Sequence, residues 1–85
     1  MFRYLLFTSP TCVPCKRMKP LIYQEAITAD VVVNDVDVTQ EPDYAAAWKV
    51  SSVPTLIAAE AGFELGRLTG LKSQADLVAF FEETK

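Results

Sequence analysis

The chain has 85 residues, of which 51% are hydrophobic and 22% are charged; this composition is typical of a folded domain, and we expect a single domain over residues 1–85. The net charge of −3 at pH 7 is opposite to the basic surface that binds nucleic acid, so we expect no nucleic-acid partner. Two cysteines and no histidine exclude Ser-His-Asp and Cys-His hydrolases and any metal or haem site that uses histidine.

The N-terminal residues show no secretory signal and no membrane span. Met1, Phe2 and Arg3 lead directly into a four-residue apolar run. That run is shorter than the apolar region of a signal peptide and far too short to cross a bilayer. We therefore expect a cytoplasmic location, no membrane partner and a monomer.

The first half of the chain predicts two strands separated by a helix. The apolar, aromatic-rich run Phe2–Phe7 predicts a strand that is buried on both faces. Apolar residues then recur at helical spacing and predict a helix over residues 13–28. The valine-rich run Val31–Val38 predicts a second strand, parallel to the first through a right-handed crossover.

The segment after the second predicted strand indicates a short helix and a hairpin. Pro42 suits the first turn of a helix, and this helix carries Trp48, the one aromatic residue for which a role other than core packing stays open. Thr55–Ala59 and Phe63–Leu68 predict two strands joined by a turn that contains Gly62.

A final helix closes the predicted fold. Ser73 and Asp76 have the spacing of a helix N-cap pair, and three apolar residues follow at helical spacing: Leu77, Phe80 and Phe81. The order is therefore β-α-β-α-β-β-α. It predicts an α/β fold with a central mixed four-stranded sheet flanked by three helices.

The two cysteines lie where the first predicted strand ends and the first helix begins. Free N–H groups and the helix dipole stabilise a thiolate at that position, so we expect the pKa of Cys12 to lie below that of a free thiol. Cys15 lies one turn further in and is expected to be less exposed. This arrangement predicts that Cys12 attacks a substrate disulfide and that Cys15 resolves the mixed disulfide.

Other uses of a Cys-x-x-Cys pair fit this sequence poorly. A zinc site needs about four ligands, and no other Cys or His exists, so we expect no metal. Covalent haem needs histidine after the second Cys, whereas position 16 is Lys16. A structural disulfide in so small a loop removes little entropy from the unfolded chain. A redox-active Cys12–Cys15 disulfide remains the favoured interpretation.

Basic residues and prolines follow the first cysteine. Lys16, Arg17 and Lys19 either favour the thiolate or form an ordinary solvated helix face, and both interpretations stay open. Pro14 falls in the first helical turn, where its missing N–H costs nothing. Pro20 falls inside the helix and is expected to kink it.

Four features, in this order, resemble the thioredoxin family over nearly the whole chain. Cys12-Val13-Pro14-Cys15-Lys16 resembles the family's active-site motif, with Val13 where Gly is usual. Pro20 matches the proline inside the active-site helix. Ser52-Val53-Pro54-Thr55 is similar to the segment that holds the family's cis-proline, and Gly70 matches a glycine near the active site.

The resemblance implies a thioredoxin-like fold and a set of substrate-binding residues. It implies a cis peptide bond between Val53 and Pro54, and substrate backbone that pairs with Val53. Thr11, Pro14 and Gly70 complete the implied docking surface.

The sequence also departs from the family pattern. Thr11 stands where the family has Trp, and Leu6 stands where it has a buried Asp that is thought to assist proton transfer; these changes bear on rate and pH optimum. The family's usual first strand and helix have no counterpart. The length is closer to glutaredoxins and small ribonucleotide-reductase redoxins, yet the glutathione-binding turn of glutaredoxins is absent at residues 70–73.

The resemblance therefore implies a protein disulfide reductase without a bound cofactor. Its electrons would come from NADPH through a flavoprotein of the thioredoxin-reductase type. One alternative is a dedicated electron donor to ribonucleotide reductase, and another is a glutathione-dependent glutaredoxin. A non-catalytic binding module ranks last, because such a module needs no cysteine pair at a helix N-terminus.

Overall fold

The computed structural model describes residues 2–85, which form four strands and three helices in the predicted order. The strands are β1 (Phe2–Thr8), β2 (Val33–Asp37), β3 (Thr55–Glu60) and β4 (Phe63–Thr69). The helices are α1 (Val13–Ala29), α2 (Pro42–Ala47) and α3 (Gln74–Thr84).

The four strands form one mixed sheet in the order β2-β1-β3-β4. β1 pairs parallel with β2 and antiparallel with β3, and β4 pairs antiparallel with β3. Residues 4–7 of β1 are each at most 2% exposed, because both faces of this inner strand are covered. The predicted burial of β1 on both faces is confirmed for these residues.

One face of the sheet packs against α1 and α3. Tyr4 and Leu6 of β1 join Ile22 of α1 and Phe81 of α3 in a single apolar cluster. The ring of Tyr4 meets that of Phe81 edge to face, with centroids 4.9 Å apart. This cluster fixes α1, and therefore its N-terminus, against the end of β1.

The opposite face of the sheet packs against α2. Leu5, Phe7 and Ile57 belong with Ala45 to a second apolar cluster, against which Trp48 packs partly buried. Core packing therefore accounts for Trp48 as it does for the other aromatic residues of this cluster.

The start of β2 differs from the prediction, which placed a strand over Val31–Val38. The chain leaves α1 through Asp30 in the left-handed conformation, with φ 59° and ψ 47°. The Val31 N–H then donates to the carbonyl of Ala26 at 3.0 Å, as in a Schellman motif. Val31 thus completes the helix end, and pairing with β1 begins at Val33.

The predicted hairpin and the predicted N-cap are both present. Ala61 and Gly62 connect β3 to β4 with φ of 52° and 85°, which is the backbone required by a two-residue type I′ turn. Ser73 and Asp76 form a reciprocal capping box at the start of α3. α1 continues through Pro20. Within residues 2–85, every helix is too short or too polar to cross a bilayer.

Candidate active site

The predicted site residues converge at one end of the sheet, where β1 and β4 end and β3 begins. Phe7, next to the end of β1, is paired with Thr55 at the start of β3, and Thr55 is paired with Thr69 at the end of β4. The N–H of Gly70 donates to the carbonyl of Pro54 at 2.9 Å, and the Val53–Pro54 peptide bond is cis. The segment that carries the cysteines follows β1 at this same end of the sheet.

Cys12 is the N-cap residue of α1. Its backbone is extended, and its N–H donates to the carbonyl of Ser9 at 3.1 Å. The Cys15 N–H, one of the free donors of the first helical turn, lies 3.1 Å from Cys12 Sγ and donates to it. The sulfur therefore sits where helix N–H groups and the helix dipole favour negative charge.

Cys12 and Cys15 form a disulfide, with their Cα atoms 5.2 Å apart. Cys12 is partly exposed, whereas Cys15 is only 2% exposed. Pro14 lies between them in the first turn of α1, as predicted, and Val13 is 63% exposed. Cys12 is therefore the more accessible residue of the pair, and Cys15 is buried.

A pocket of about 300 Å³ reaches Cys15 from the side of β2. Most of the residues that line it have polar or charged side chains: Thr8, Ser9, Pro10, Cys15, Lys16, Lys19, Asp35 and Asp37. Two of the three basic residues singled out from the sequence, Lys16 and Lys19, line this pocket beside Cys15. Arg17 is exposed and is not part of the lining.

Two of the lining residues form an ion pair. Lys19 Nζ lies 3.1 Å from Asp35 Oδ2, and Tyr23 hydrogen-bonds to the same carboxylate. Partial burial, followed by this hydrogen bond and the negative charge of Asp35, raises the pKa of Tyr23 above its usual value. Asp35 is paired in the sheet with Leu6 of β1.

The sequence prediction omitted Asp35. One signal was available, because Asn34-Asp35 interrupts an otherwise valine-rich strand. A charged residue in such a strand indicates an edge strand or a specific partner. The structure provides both, since β2 is an edge strand and Lys19 is the partner.

The predicted docking residues differ in accessibility. Thr11 is exposed, Val53 and Gly70 are partly exposed, and Pro54 is buried. Leu71, next to Gly70, is 54% exposed. Their role in docking stays a prediction.

Comparison with known proteins identifies the family. The thioredoxin family model matches residues 4–83. A thioredoxin from Chlamydia caviae is 33% identical over 78 residues, which is 91% of this chain and 76% of that protein. A thioredoxin from Chlamydia trachomatis is 37% identical over 75 residues, which is 85% of this chain and 72% of that protein.

Solved thioredoxin structures share the fold. A mutant thioredoxin from Halobacterium salinarum superimposes with a TM-score of 0.89 at 27% identity, covering 99% of this chain and 75% of that one. The oxidized mitochondrial thioredoxin 3 of Saccharomyces cerevisiae gives a TM-score of 0.84 at 26% identity, covering 95% of this chain and 76% of that one. The thioredoxin-like fold predicted from the sequence is confirmed.

The residues that the family model matches include the cysteine pair. Members of this family exchange thiols and disulfides through two cysteines, need no bound cofactor, and generally work with a thioredoxin reductase and disulfide substrates. Here Cys12 and Cys15 supply that pair. The chain belongs to the thioredoxin family of thiol–disulfide oxidoreductases.

Proposed function

We propose that this protein reduces disulfides of other proteins through the Cys12-Val13-Pro14-Cys15 centre. The observation that carries the proposal is the unequal exposure of the two cysteine residues. Cys12 is partly exposed and accepts a hydrogen bond from a helix N–H, whereas Cys15 is 2% exposed. A nucleophile must reach a bulky partner, while a resolving thiol only has to reach Cys12.

The reaction consists of two exchange steps. In the reduced protein, the Cys12 thiolate attacks one sulfur of the substrate disulfide, and the other substrate sulfur leaves as a thiolate. The Cys15 thiol then loses its proton and attacks Cys12 Sγ. This step forms the Cys12–Cys15 bond and breaks the mixed disulfide, so the substrate leaves with both sulfurs reduced and the protein carries the disulfide.

The surface around Cys12 supports a protein substrate. Val13, next to Cys12 in sequence, is 63% exposed, and Leu71, next to Gly70, is 54% exposed, so each of these two site residues has an accessible apolar neighbour. We assign Val53, with its neighbours Pro54 and Gly70, as the segment along which the substrate backbone pairs. Thr11 and Pro14 complete this surface.

NADPH, through a flavoprotein thioredoxin reductase, is the proposed electron source. Family membership supports this route. A glutathione route needs donors for the carboxylates of the tripeptide, and the loop at residues 70–73 contains one cation, Lys72. We place the reaction in the cytoplasm and assign it to the monomer.

A coupled turnover assay tests the proposal. Insulin and oxidised ribonucleotide reductase are offered as substrates, first with NADPH and thioredoxin reductase and then with glutathione and glutathione reductase. We expect reduction of both substrates with the flavoprotein and little with glutathione, and none by the Cys12→Ser variant. Turnover confined to ribonucleotide reductase would favour the dedicated donor instead. Turnover with glutathione alone would favour the glutaredoxin alternative.

A further inference from the structure

Cys15 shares a face of α1 with a lysine. Cys15 and Lys19 are four residues apart, which places their side chains on the same face of the helix. Both line the pocket of about 300 Å³ that opens on the side of β2. A cation therefore lies one turn from the buried thiol, on the side from which solvent reaches it.

Lys19 is held in this place by contacts from the neighbouring strand. Its Nζ lies 3.1 Å from Asp35 Oδ2, and Tyr23, one turn further along α1, hydrogen-bonds to the same carboxylate. The Lys19 and Asp35 side chains are 41% and 40% exposed, so water still reaches the pair. The ion pair thus restrains the position of the Lys19 ammonium, which stays accessible to solvent.

The other charged groups of the pocket are arranged differently. Asp37 accepts hydrogen bonds from the N–H and the hydroxyl of Thr39 at 2.9 and 2.6 Å, and these bonds lower its pKa. Thr39 therefore holds this carboxylate in place, and the lowered pKa of Asp37 keeps it ionised in the same lining as Lys16 and Lys19. Lys16 is exposed and lies next to Cys15 in sequence, but the described ion pairs do not include it.

We propose that Lys19, positioned by Asp35, stabilises the Cys15 thiolate during the resolving step, and that the pocket carries the Cys15 proton to water. This inference rests on the proposed function and adds a residue to it. Burial disfavours a thiolate and a nearby cation favours it. Leu6, the β1 residue that is paired with Asp35, is apolar, so β1 adds no charge at this position. The charged groups of the pocket are then the ones that influence Cys15.

The resolving step can be observed without any protein partner. One equivalent of dithiobis(nitrobenzoate) is added to the reduced protein. The Cys12 thiolate attacks the reagent, a first nitrothiobenzoate thiolate leaves, and Cys12 carries the second as a mixed disulfide. Cys15 then loses its proton to water and attacks Cys12 Sγ, which forms the Cys12–Cys15 disulfide and releases the second coloured thiolate. The second release is intramolecular, so its rate is independent of reagent concentration.

The test compares Lys19→Gln with the unmodified protein across pH. We expect the second release to be about three- to tenfold slower at pH 7, with its pH midpoint raised by about 0.5–1 unit. Lys19→Arg keeps the cation and the pairing with Asp35, so it should restore the original profile. The first release reports a folded protein with an active Cys12 in each variant.

Arg17→Gln is the matched control, because it removes a positive charge from the same helix outside the pocket. Its second-release profile should stay close to that of the unmodified protein. An unchanged pH midpoint in Lys19→Gln, or an equal shift in Arg17→Gln, would overturn the role of Lys19. Loss of the second release in the unmodified protein would instead contradict Cys15 as the resolving thiol, and with it the proposed function.

Discussion

The Arg67 guanidinium donates a hydrogen bond of 2.8 Å to the main-chain carbonyl of Trp48. A second N–H of the same group points to the carbonyl of Lys49 at 3.4 Å, and two more contacts, of 2.6 and 2.7 Å, reach the Glu64 carboxylate. Lys49 has a φ of 56°, in the left-handed region. Arg67 therefore secures the unusual turn that ends α2 and leads toward Val53.

Replacement of Arg67 should loosen that turn. Arg67→Gln loses the fork of donors, and we expect it to lower the free energy of unfolding by about 1–2 kcal/mol. Glu64→Gln keeps the bonds to the backbone and should cost less, about 0–1 kcal/mol. Urea denaturation of both variants measures the difference. Equal losses in the two variants would show that the ion pair, and not the bonds to the carbonyls, matters.

Local patterns predicted the elements where neighbouring residues determine the outcome. Helical spacing located α1 and α3, and the Ser73 and Asp76 pair located the start of α3. The same reasoning placed β2 too early. Valine favours strands in general, but Val31 is used by the end of α1, where its N–H bonds to Ala26. A helix end competes for these residues, and composition alone does not show which structure prevails.

The active site likewise has one part that the local sequence predicts and another that it does not. The strand–Cys-x-x-Cys–helix pattern predicted the cysteine pair, because the free N–H groups of a helix follow directly from where the helix begins. The pairing of Lys19 with Asp35 depends on the register between β1 and β2 and on the position of α1 across them. These are long-range relationships, so the sequence offered only the unexplained charge in a valine-rich strand.

The two cysteines should behave differently when each is replaced. Cys15→Ser leaves the nucleophile in place but removes the resolving thiol, so mixed disulfides with a substrate should accumulate. Cys12→Ser leaves only Cys15, which is 2% exposed, and should trap no substrate. Non-reducing electrophoresis after incubation with oxidised substrate measures the adduct. Adducts formed by Cys12→Ser and not by Cys15→Ser would reverse the assignment.

The contact between β1 and α3 should dominate stability. Phe81 is 1% exposed and packs edge to face on Tyr4, so Phe81→Ala leaves a cavity and should cost about 3–5 kcal/mol. That is a large part of the total stability of a small protein. Phe63→Ala is the matched control, because Phe63 is 74% exposed; it should change stability by about 0.5 kcal/mol or less. Thermal and urea denaturation compare the two, and a similar cost for both would contradict the packing.

The capping box of α3 should make stability depend on pH in the acid range. The Ser73 N–H donates to the Asp76 carboxylate at 3.1 Å, and the Ser73 hydroxyl accepts from the Asp76 N–H at 3.1 Å. The hydrogen bonds from the Ser73 backbone and side chain hold the pKa of Asp76 below its usual value of 3.8. Because the folded-state pKa is the lower one, the stabilisation is complete above the unfolded-state pKa and is lost as pH falls through the folded-state value.

Asp76→Asn should therefore be less stable than the unmodified protein near neutral pH, and the gap should narrow as the pH is lowered below about 4. Urea midpoints measured from neutral to acid pH give this gap directly. Ser73→Ala is the control, because it removes a non-titrating hydroxyl from the same cap and leaves the backbone donor to Asp76. It should cost about 1 kcal/mol and should weaken the pH dependence only in part, because the Ser73 N–H, the larger cause of the lowered pKa of Asp76, still donates to that carboxylate. A gap for Asp76→Asn that stays constant with pH would show that the carboxylate contributes no charge-dependent stabilisation.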